Sequence, residues 1–157
     1  MMNRRRSLLG GRGLLLYRAG ANHATQATAL QAWHLTTCVG CTFSADCITF
    51  TRTSAWQPDS QTRVNIQSPN AAVFDDYKYV CVKYKTSEAS TSGGLWFALY
   101  AADSTSYGDT LPAHTDGYET AKLEIAQIPS NYRNGIFIRL SYQSPCAFAY
   151  VKEIWLE

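Results

Sequence analysis

Residues 77–85 read YKYVCVKYK, and their side chains alternate in character along the chain. In an extended chain, Val80, Val82 and Tyr84 fall on one face, while polar residues such as Lys83 fall on the other. This period of two is typical of a β-strand with one buried face, and it does not match the 3.6-residue period of an amphipathic helix. We therefore predict a strand here.

The same alternation recurs on both sides of this strand, separated by turns rich in Pro, Gly, Asn and Ser. We predict further strands at 42–52, 63–67, 95–101, 118–128, 136–142 and 148–156. The strand at 95–101 is apolar on both faces and should therefore be central in its sheet. We expect Trp96, in this strand, and Trp155, near the end of the chain, to lie in the core. A long loop is predicted at 103–117. The fold class is all-β: an antiparallel β-sandwich (jelly roll) over residues 42–157.

The N-terminal region differs from the rest of the chain in charge. Residues 1–45 contain no acidic residue, and the first one is Asp46. The basic residues of this region are Arg4, Arg5, Arg6, Arg12 and Arg18. We predict a basic, mostly irregular arm or anchor over residues 1–41, suited to an acidic surface, with a solvated tail as the alternative.

Targeting signals and nucleic-acid motifs are weak in this sequence. Arg5 and Arg6 precede two leucines in the manner of a twin-arginine signal, but Arg12 and three glycines interrupt the apolar run that should follow. No stretch approaches the roughly 18 apolar residues of a membrane span, so we predict no membrane contact. The adjacent arginines alone, without a recognition helix, argue against nucleic acid as a partner.

Four possible metal ligands lie close together in the sequence, at His34, Cys38, Cys41 and Cys47. The Cys-x2-Cys spacing could supply two zinc ligands from one turn, but Cys47 falls within a predicted strand. We therefore predict unrelated thiols, no metal and no cofactor. The chain has five cysteines, and an odd number argues against a disulfide framework. It favours a reducing compartment or a fold that is indifferent to redox state.

The sequence offers little that could catalyse a reaction. His114 lies in the predicted loop near Asp109 and Asp116, without a nucleophile at a recognisable spacing. A lone loop histidine beside acidic residues is typical of a solvated side chain, so we predict no enzymatic activity. Calcium binding by these loop oxygens is the alternative, although the EF-hand spacing is absent.

Aromatic residues in predicted loops could instead stack on the apolar faces of sugar rings, while nearby polar groups bind the hydroxyls. The candidate glycan-binding residues are Trp56, Tyr107, Asp109, Tyr118 and Tyr132. The alternative, which we weigh above sugar binding, is that these aromatics cap the sandwich or lie between subunits.

Two resemblances add to this interpretation. Residues 94–100 (GLWFALY) and 150–157 (YVKEIWLE), with the strand spacing, resemble a galactose-binding-like or carbohydrate-binding-module-like jelly roll over residues 42–157. Residues 3–9 (NRRRSLL) resemble the start of small structural proteins of tailed phages. Together they imply a phage virion tail, fibre or decoration protein, with an anchor followed by an exposed sandwich.

The leading hypothesis is therefore a non-enzymatic virion structural protein, assembled in the host cytoplasm. Its partners would be other virion proteins, further copies of itself in a homo-oligomer, and host surface glycans. The alternative is a free or enzyme-appended carbohydrate-binding module, which would be secreted. A metal-stabilised interaction domain is the third hypothesis.

Overall fold

The computed structural model describes residues 13–19, 34–52, 62–88, 90–140, 144 and 146–157. The strands are Leu14–Arg18 (β1), His34–Val39 (β2), Cys41–Phe43 (β3), Ile48–Thr51 (β4), Thr62–Gln67 (β5), Tyr79–Thr86 (β6), Ser90–Tyr100 (β7), Ser106–Ala113 (β8), Glu119–Glu124 (β9), Gly135–Leu140 (β10) and Phe148–Leu156 (β11). Short 3-10 helices span Ala71–Asp76, Ile125–Gln127 and Ser130–Tyr132. Within these ranges, every helix is too short or too polar to cross a bilayer.

The strands form two antiparallel sheets. Sheet A has the order β3-β4-β11-β6-β9, with β1 also pairing with β11, and sheet B has the order β2-β5-β10-β7-β8. Alternate apolar side chains of each sheet face the other sheet and are buried between them. The predicted all-β sandwich is confirmed.

β11 organises sheet A. It pairs with β6 along one side, while β4 occupies the first half of its other side and β1 the second half. Its inward residues Val151, Ile154 and Leu156 are fully buried. The spacing of three between Val151 and Ile154 reflects a β-bulge between Val151 and Glu153, after which the period of two resumes. The predicted bounds of this strand, 148–156, are those observed.

The core contains several large side chains without solvent contact, among them Phe50, Phe74 and Phe97. Tyr84 is also buried, and its hydroxyl donates a hydrogen bond to the Pro112 carbonyl at 2.8 Å. This bond satisfies the one polar atom that the Tyr84 side chain brings into the interior.

Two strands come from residues that the sequence assigned to an irregular arm. β1 pairs with β11, and Leu16 of β1 is 2% exposed within the core cluster. β2 pairs with β5 in sheet B. A short apolar run can complete a sheet because the neighbouring strand supplies its hydrogen-bond partners, so residues 14–18 and 34–39 belong to the sandwich.

The predicted strand at 42–52 is instead the hairpin of β3 and β4. The Ser44 backbone N–H donates to the Cys47 carbonyl, and the Ser44 hydroxyl accepts from the N–H groups of Asp46 and Cys47. A serine that binds the backbone two or three residues ahead favours a turn, which is why the strand is interrupted here.

The predicted loop at 103–117 contains β8, which pairs with β7 at the border of sheet B. Its sequence is polar and includes Gly108 and Pro112, which are typical of edge strands rather than central ones. The prediction failed because an edge strand buries little apolar surface and so lacks a hydrophobic alternation. The central position predicted for 95–101 is confirmed, since β7 lies between β10 and β8.

Candidate functional site

The outward side of sheet B carries aromatic, cationic and amide side chains. Along β5, β7 and β10, residues buried in the core alternate with residues that point away from it. These outward residues form what we call the Trp96 face: Arg63, Asn65, Gln67, Trp96, Phe137 and Arg139. All six side chains are partly exposed, so a ligand can reach this face.

Strand register brings these residues together from distant parts of the chain. Arg139 lies opposite Arg63 on one neighbouring strand and opposite Trp96 on the other. Phe137 lies opposite Asn65. Side chains directly opposite each other on neighbouring strands have their Cβ atoms about 4.5–5.5 Å apart, which is close enough for one ligand to contact several of them.

The guanidinium group of Arg139 lies against two aromatic rings. Its Cζ atom is 5.8 Å from the Trp96 ring centre and 5.7 Å from the Phe137 ring centre. The Trp96 indole Nε1–H donates to the Ser106 hydroxyl at 3.2 Å. Cation–π contact and this hydrogen bond hold the planar cation and the indole in defined positions.

The placement of Trp96 corrects a prediction. Its strand neighbours Leu95 and Phe97 enter the core, so Trp96 points to the opposite side of sheet B and is partly exposed. The assumption that an apolar strand buries both faces in the core fails here. Trp155, by contrast, is buried, at 5% exposure.

The Trp96 face contains two arginines, Arg63 and Arg139. Burial lowers the pKa of the Arg139 guanidinium, and the positive charge of Arg63 lowers it further. Both effects disfavour the charged form of Arg139 in the protein alone. β5, β7 and β10 contain no Asp or Glu.

The chemistry of the Trp96 face suits recognition of a polar ligand with apolar faces. Trp96 and Phe137 offer aromatic surface, while the amides of Asn65 and Gln67 can both donate and accept hydrogen bonds. Among the described residues of this face there is no nucleophile paired with a base. Such a surface can bind and orient a ligand.

Three of the glycan-binding residues predicted from sequence lie on the side of the sandwich bordered by β8. The rings of Tyr107 and Tyr132 are in contact, with centres 5.6 Å apart, and Tyr107 is 46% exposed. Asp109 is exposed and follows Tyr107 by two residues on β8, so it points to the same side of the strand. These residues form a second aromatic patch separate from the Trp96 face.

Tyr118 lies elsewhere, next to β9 on the outward side of sheet A. The Nζ atoms of Lys85 and Lys152 lie 5.0 Å and 5.2 Å from its ring centre. Burial, followed by the neighbouring Cys47 thiol, raises the pKa of Tyr118 to about 12. The ring is already in contact with two cations of the protein, which leaves less of it for a sugar.

The remaining predicted binding and arm residues have different positions. Trp56, together with Arg4, Arg5, Arg6 and Arg12, lies outside the described residues. Arg18 is in β1, with its Nε atom 3.4 Å from a carboxylate oxygen of Glu153. It is thus a surface residue of sheet A.

The sulfur chemistry near β3 differs from the prediction of unrelated thiols in this part of the chain. Cys41 is disulfide-bonded, whereas Cys47, Cys81 and Cys146 are free and buried. A disulfide sulfur has no thiolate to offer zinc, so the four-ligand set considered from spacing is not formed. In the described part of the chain, no three metal-binding side chains cluster together.

His114 pairs with Glu119 rather than with the aspartates near it in sequence. Its Nε2 atom lies 3.1 Å from a Glu119 carboxylate oxygen. The His114 backbone also exchanges hydrogen bonds with Thr86, because its N–H donates to the Thr86 hydroxyl and its carbonyl accepts from the Thr86 N–H. This arrangement anchors the segment after β8 to β6.

A polar cleft of about 280 Å³ lies at the end of sheet B, next to the Trp96 face. Gln67 lines it and also belongs to that face. The other side of the cleft is formed by the segment around Asn131 and Arg133. Arg133 is held by hydrogen bonds from its Nη2 to two backbone carbonyls, so the cleft wall is fixed.

The Trp96 face has a signal in the sequence that lies in the strands and not in the loops. Arg63, Asn65 and Gln67 alternate with two apolar residues, and Phe137 and Arg139 alternate with isoleucines. Polar or aromatic residues at every second position of a strand mark its outward face. The sequence could not indicate that these strands are neighbours.

Solved structures of other proteins share the fold of this chain. The chain is similar to two variants of CBM29-2, a family 29 carbohydrate-binding module studied for the mechanism of ligand recognition, with TM-scores of 0.55 and 0.53. Identity is 8% and 10%, and the alignments cover 89% of this chain and 86% and 87% of the other chains. The chain shares the sandwich fold of these modules. Neither a family model nor a curated protein sequence matches it.

Proposed function

We propose that this protein is a non-catalytic glycan-binding module and that the Trp96 face is its binding surface. The observation that carries the proposal is the set formed by Trp96, Phe137 and Arg139, positioned by three neighbouring strands and flanked by two amides. Aromatic surface provides a platform for sugar rings, and the polar groups around it select hydroxyls by directional hydrogen bonds. The sandwich fold of carbohydrate-binding modules supports the same conclusion by analogy.

Affinity electrophoresis in gels containing soluble polysaccharides tests this proposal. Wild-type protein should be retarded in at least one gel, and Trp96→Ala should abolish the retardation. Phe148→Ala is the matched control, because Phe148 is an aromatic residue with 38% exposure on the outward side of sheet A. Loss of retardation in both variants, or in neither, would contradict the assignment of the site.

The Tyr107–Tyr132 patch is the competing surface for the same function. It combines an exposed ring with the nearby carboxylate of Asp109. Tyr107→Ala separates the two surfaces, because it removes the exposed ring and leaves the Trp96 face intact. Retardation that survives Tyr107→Ala and is lost in Trp96→Ala supports the Trp96 face.

A second candidate function is a structural role in a phage virion, with assembly through the N-terminal region and self-association. The observation that favours it is the concentration of five arginines, without an acidic residue, in residues 1–45. Removal of residues 1–12 tests it, since this deletion leaves β1 intact. Loss of incorporation into particles by an otherwise folded chain supports the role, and unchanged incorporation excludes the anchor.

The two functions predict different locations. A virion protein is assembled in the host cytoplasm, whereas a free or enzyme-appended module acts after secretion. The disulfide at Cys41 favours an oxidising environment, because cytosolic reductants keep most protein thiols reduced.

A further inference from the structure

The polar cleft at the end of sheet B continues from the Trp96 face. Gln67 belongs to both, because it follows Asn65 by two residues on β5, points outward and lines the cleft. Asn65 is in turn directly opposite Phe137. A ligand that lies on Phe137 and Asn65 therefore reaches the cleft when it extends along β5 to Gln67.

The two walls of the cleft are tied together by Ser68. One wall comes from residues 67–71 and the other from residues 130–134. The Ser68 backbone N–H donates to the Asn134 carbonyl at 2.9 Å, and its hydroxyl donates at 3.0 Å to the carbonyls of Arg133 and Asn134. The Asn134 N–H donates to the Tyr100 carbonyl, which joins the second wall to β7. The cleft is thus formed before a ligand enters, which lowers the entropy cost of binding.

The lining of the cleft is rich in groups that both donate and accept hydrogen bonds. No acidic residue lines it. An amide presents a donor and an acceptor side by side, which suits a sugar hydroxyl because the hydroxyl also does both. The amides are those of Gln67, Asn70, Asn131 and Asn134, and the hydroxyls are those of Ser68 and Ser130.

Asn70 and Asn131 face a ligand from opposite walls of the cleft, and both residues are exposed. Asn70 is at the N-cap position of the 3-10 helix Ala71–Asp76. An asparagine at an N-cap commonly accepts a hydrogen bond from the helix backbone, but the Asn70 side chain makes no such bond. Its amide is therefore available to a ligand.

Arg133, the cation in the lining, has a structural role. Its Nη2 atom donates to the carbonyls of Ile125 and Ile128 at 2.7 Å and 3.0 Å, and its Cζ atom lies 5.9 Å from the Phe74 ring centre. Its Nη1 atom is buried, so a ligand in the cleft does not reach it. Hydroxyl-binding groups, rather than charge, thus define the chemistry of the cleft.

We infer that the polar cleft is a sugar-binding subsite that takes one residue of the glycan held on the Trp96 face, with Asn70 and Asn131 binding its hydroxyl groups. This inference rests on the proposed glycan-binding function and extends its site. The cleft volume of about 280 Å³ is just below the range of about 300–1,000 Å³ for pockets that enclose drug-sized molecules, so it suits a single sugar ring.

Isothermal titration calorimetry with oligosaccharides of increasing length tests the inference. The probes are cello-, manno- and xylo-oligosaccharides from the disaccharide to the hexasaccharide. In a series that binds, the affinity should increase with length until the oligosaccharide spans the distance from Trp96 to the cleft. The hexasaccharide should therefore bind more tightly than the shortest member that binds.

Variants of the two asparagines assign this increase to the cleft. Asn70→Ala and Asn131→Ala should each weaken binding of the hexasaccharide about threefold to tenfold, the effect of one lost hydrogen bond, and should leave the affinity for the shortest binding member unchanged. Both side chains belong to exposed residues, so the variants should fold. Gln127→Ala is the matched control, because Gln127 is an exposed amide that does not line the cleft.

The outcomes distinguish this inference from the proposed function. Weakening in the asparagine variants that is confined to the longer probes, together with loss of all binding in Trp96→Ala, supports both. Wild-type affinity of the asparagine variants for the hexasaccharide, or equal weakening at every length, overturns the inference and leaves glycan binding on the Trp96 face intact. No binding to any probe by folded protein overturns the inference, and absence of retardation across the polysaccharide gels overturns the proposed function as well.

Discussion

The Cζ atom of Arg139 lies 5.8 Å from the ring centre of Trp96, in register on neighbouring strands of sheet B. Each of these two side chains restricts the other, so the aromatic surface and the cation form one unit. A ligand that stacks on the ring and binds the cation meets both groups already in place, which lowers the entropy cost of binding.

This contact should be measurable in the stability of the protein without ligand. A double-mutant cycle of Trp96→Ala and Arg139→Ala, followed by urea denaturation, should give a coupling free energy of about 0.5–1 kcal/mol, the value expected for a partly exposed cation–π pair. A parallel cycle of Trp96→Ala with Arg18→Ala, on the other sheet, should be additive. Additivity in both cycles would mean that the two side chains do not support each other.

Leu16 should contribute strongly to stability, because β1 is part of sheet A and Leu16 is 2% exposed. Leu16→Ala should lower the free energy of unfolding by about 2–5 kcal/mol, as core truncations do. Arg18→Ala, in the same strand but at a side chain that is 47% exposed, should cost clearly less than Leu16→Ala. Equal, small effects would indicate that residues 14–18 behave as a tail.

Alkaline pH should destabilise the fold. Burial is the main cause that raises the pKa of four groups to about 12, namely Tyr17, Cys81, Tyr84 and Tyr118. Their ordinary values are 9.0 for the thiol and 10.0 for the phenols, so above about pH 9 the unfolded chain loses protons that the folded chain retains. The contribution of these four groups to stability should be constant below that pH and fall progressively towards pH 12.

Urea midpoints measured from pH 7 to pH 11 check this dependence. Cys81→Val removes one of these groups from β6 while preserving a buried apolar side chain, and it should reduce the slope above pH 9. A midpoint that rises with pH, or a slope that Cys81→Val does not change, would be inconsistent with protonated buried groups.

The cysteines should react in two classes. Thiol titration of denatured, unreduced protein should give at most four groups per chain, because Cys41 is disulfide-bonded whereas Cys47, Cys81 and Cys146 are free. A value of three would indicate that the disulfide lies within one chain. Reduction should raise the number to five. Four thiols before reduction would indicate a disulfide between chains, and five would exclude a disulfide.

The regular alternation of apolar residues made β6, β10 and β11 predictable, because each buries one face in the core. β8 was missed since an edge strand with polar residues lacks that alternation. β1 was missed because five residues are too few to reveal a period, and its stability comes from β11.

The site was harder to predict than the fold, for a topological reason. β5 and β10 are neighbours in sheet B although more than sixty residues separate Gln67 from Gly135, which are directly opposite each other. Local patterns identify outward faces, but strand order decides which of them combine. The sequence therefore indicated Tyr107 and Tyr132 only as separate aromatic residues in predicted loops, and the apolar character of its strand placed Trp96 in the core.

A titration followed by two-dimensional ¹H–¹⁵N NMR tests the central claim most directly. The titrant is an oligosaccharide fragment of a polysaccharide that retards the protein in affinity electrophoresis. The indole Nε1–H signal of Trp96, assigned by its loss in Trp96→Phe, should shift as this fragment is added. Backbone signals of Arg63, Phe137 and Arg139 should shift with it. Signals of Tyr118 and Tyr107 should stay in place. Shifts centred on Tyr107 and Tyr132, or on the outward side of sheet A, with an unmoved Trp96 indole, would contradict the assignment of the Trp96 face as the glycan-binding site.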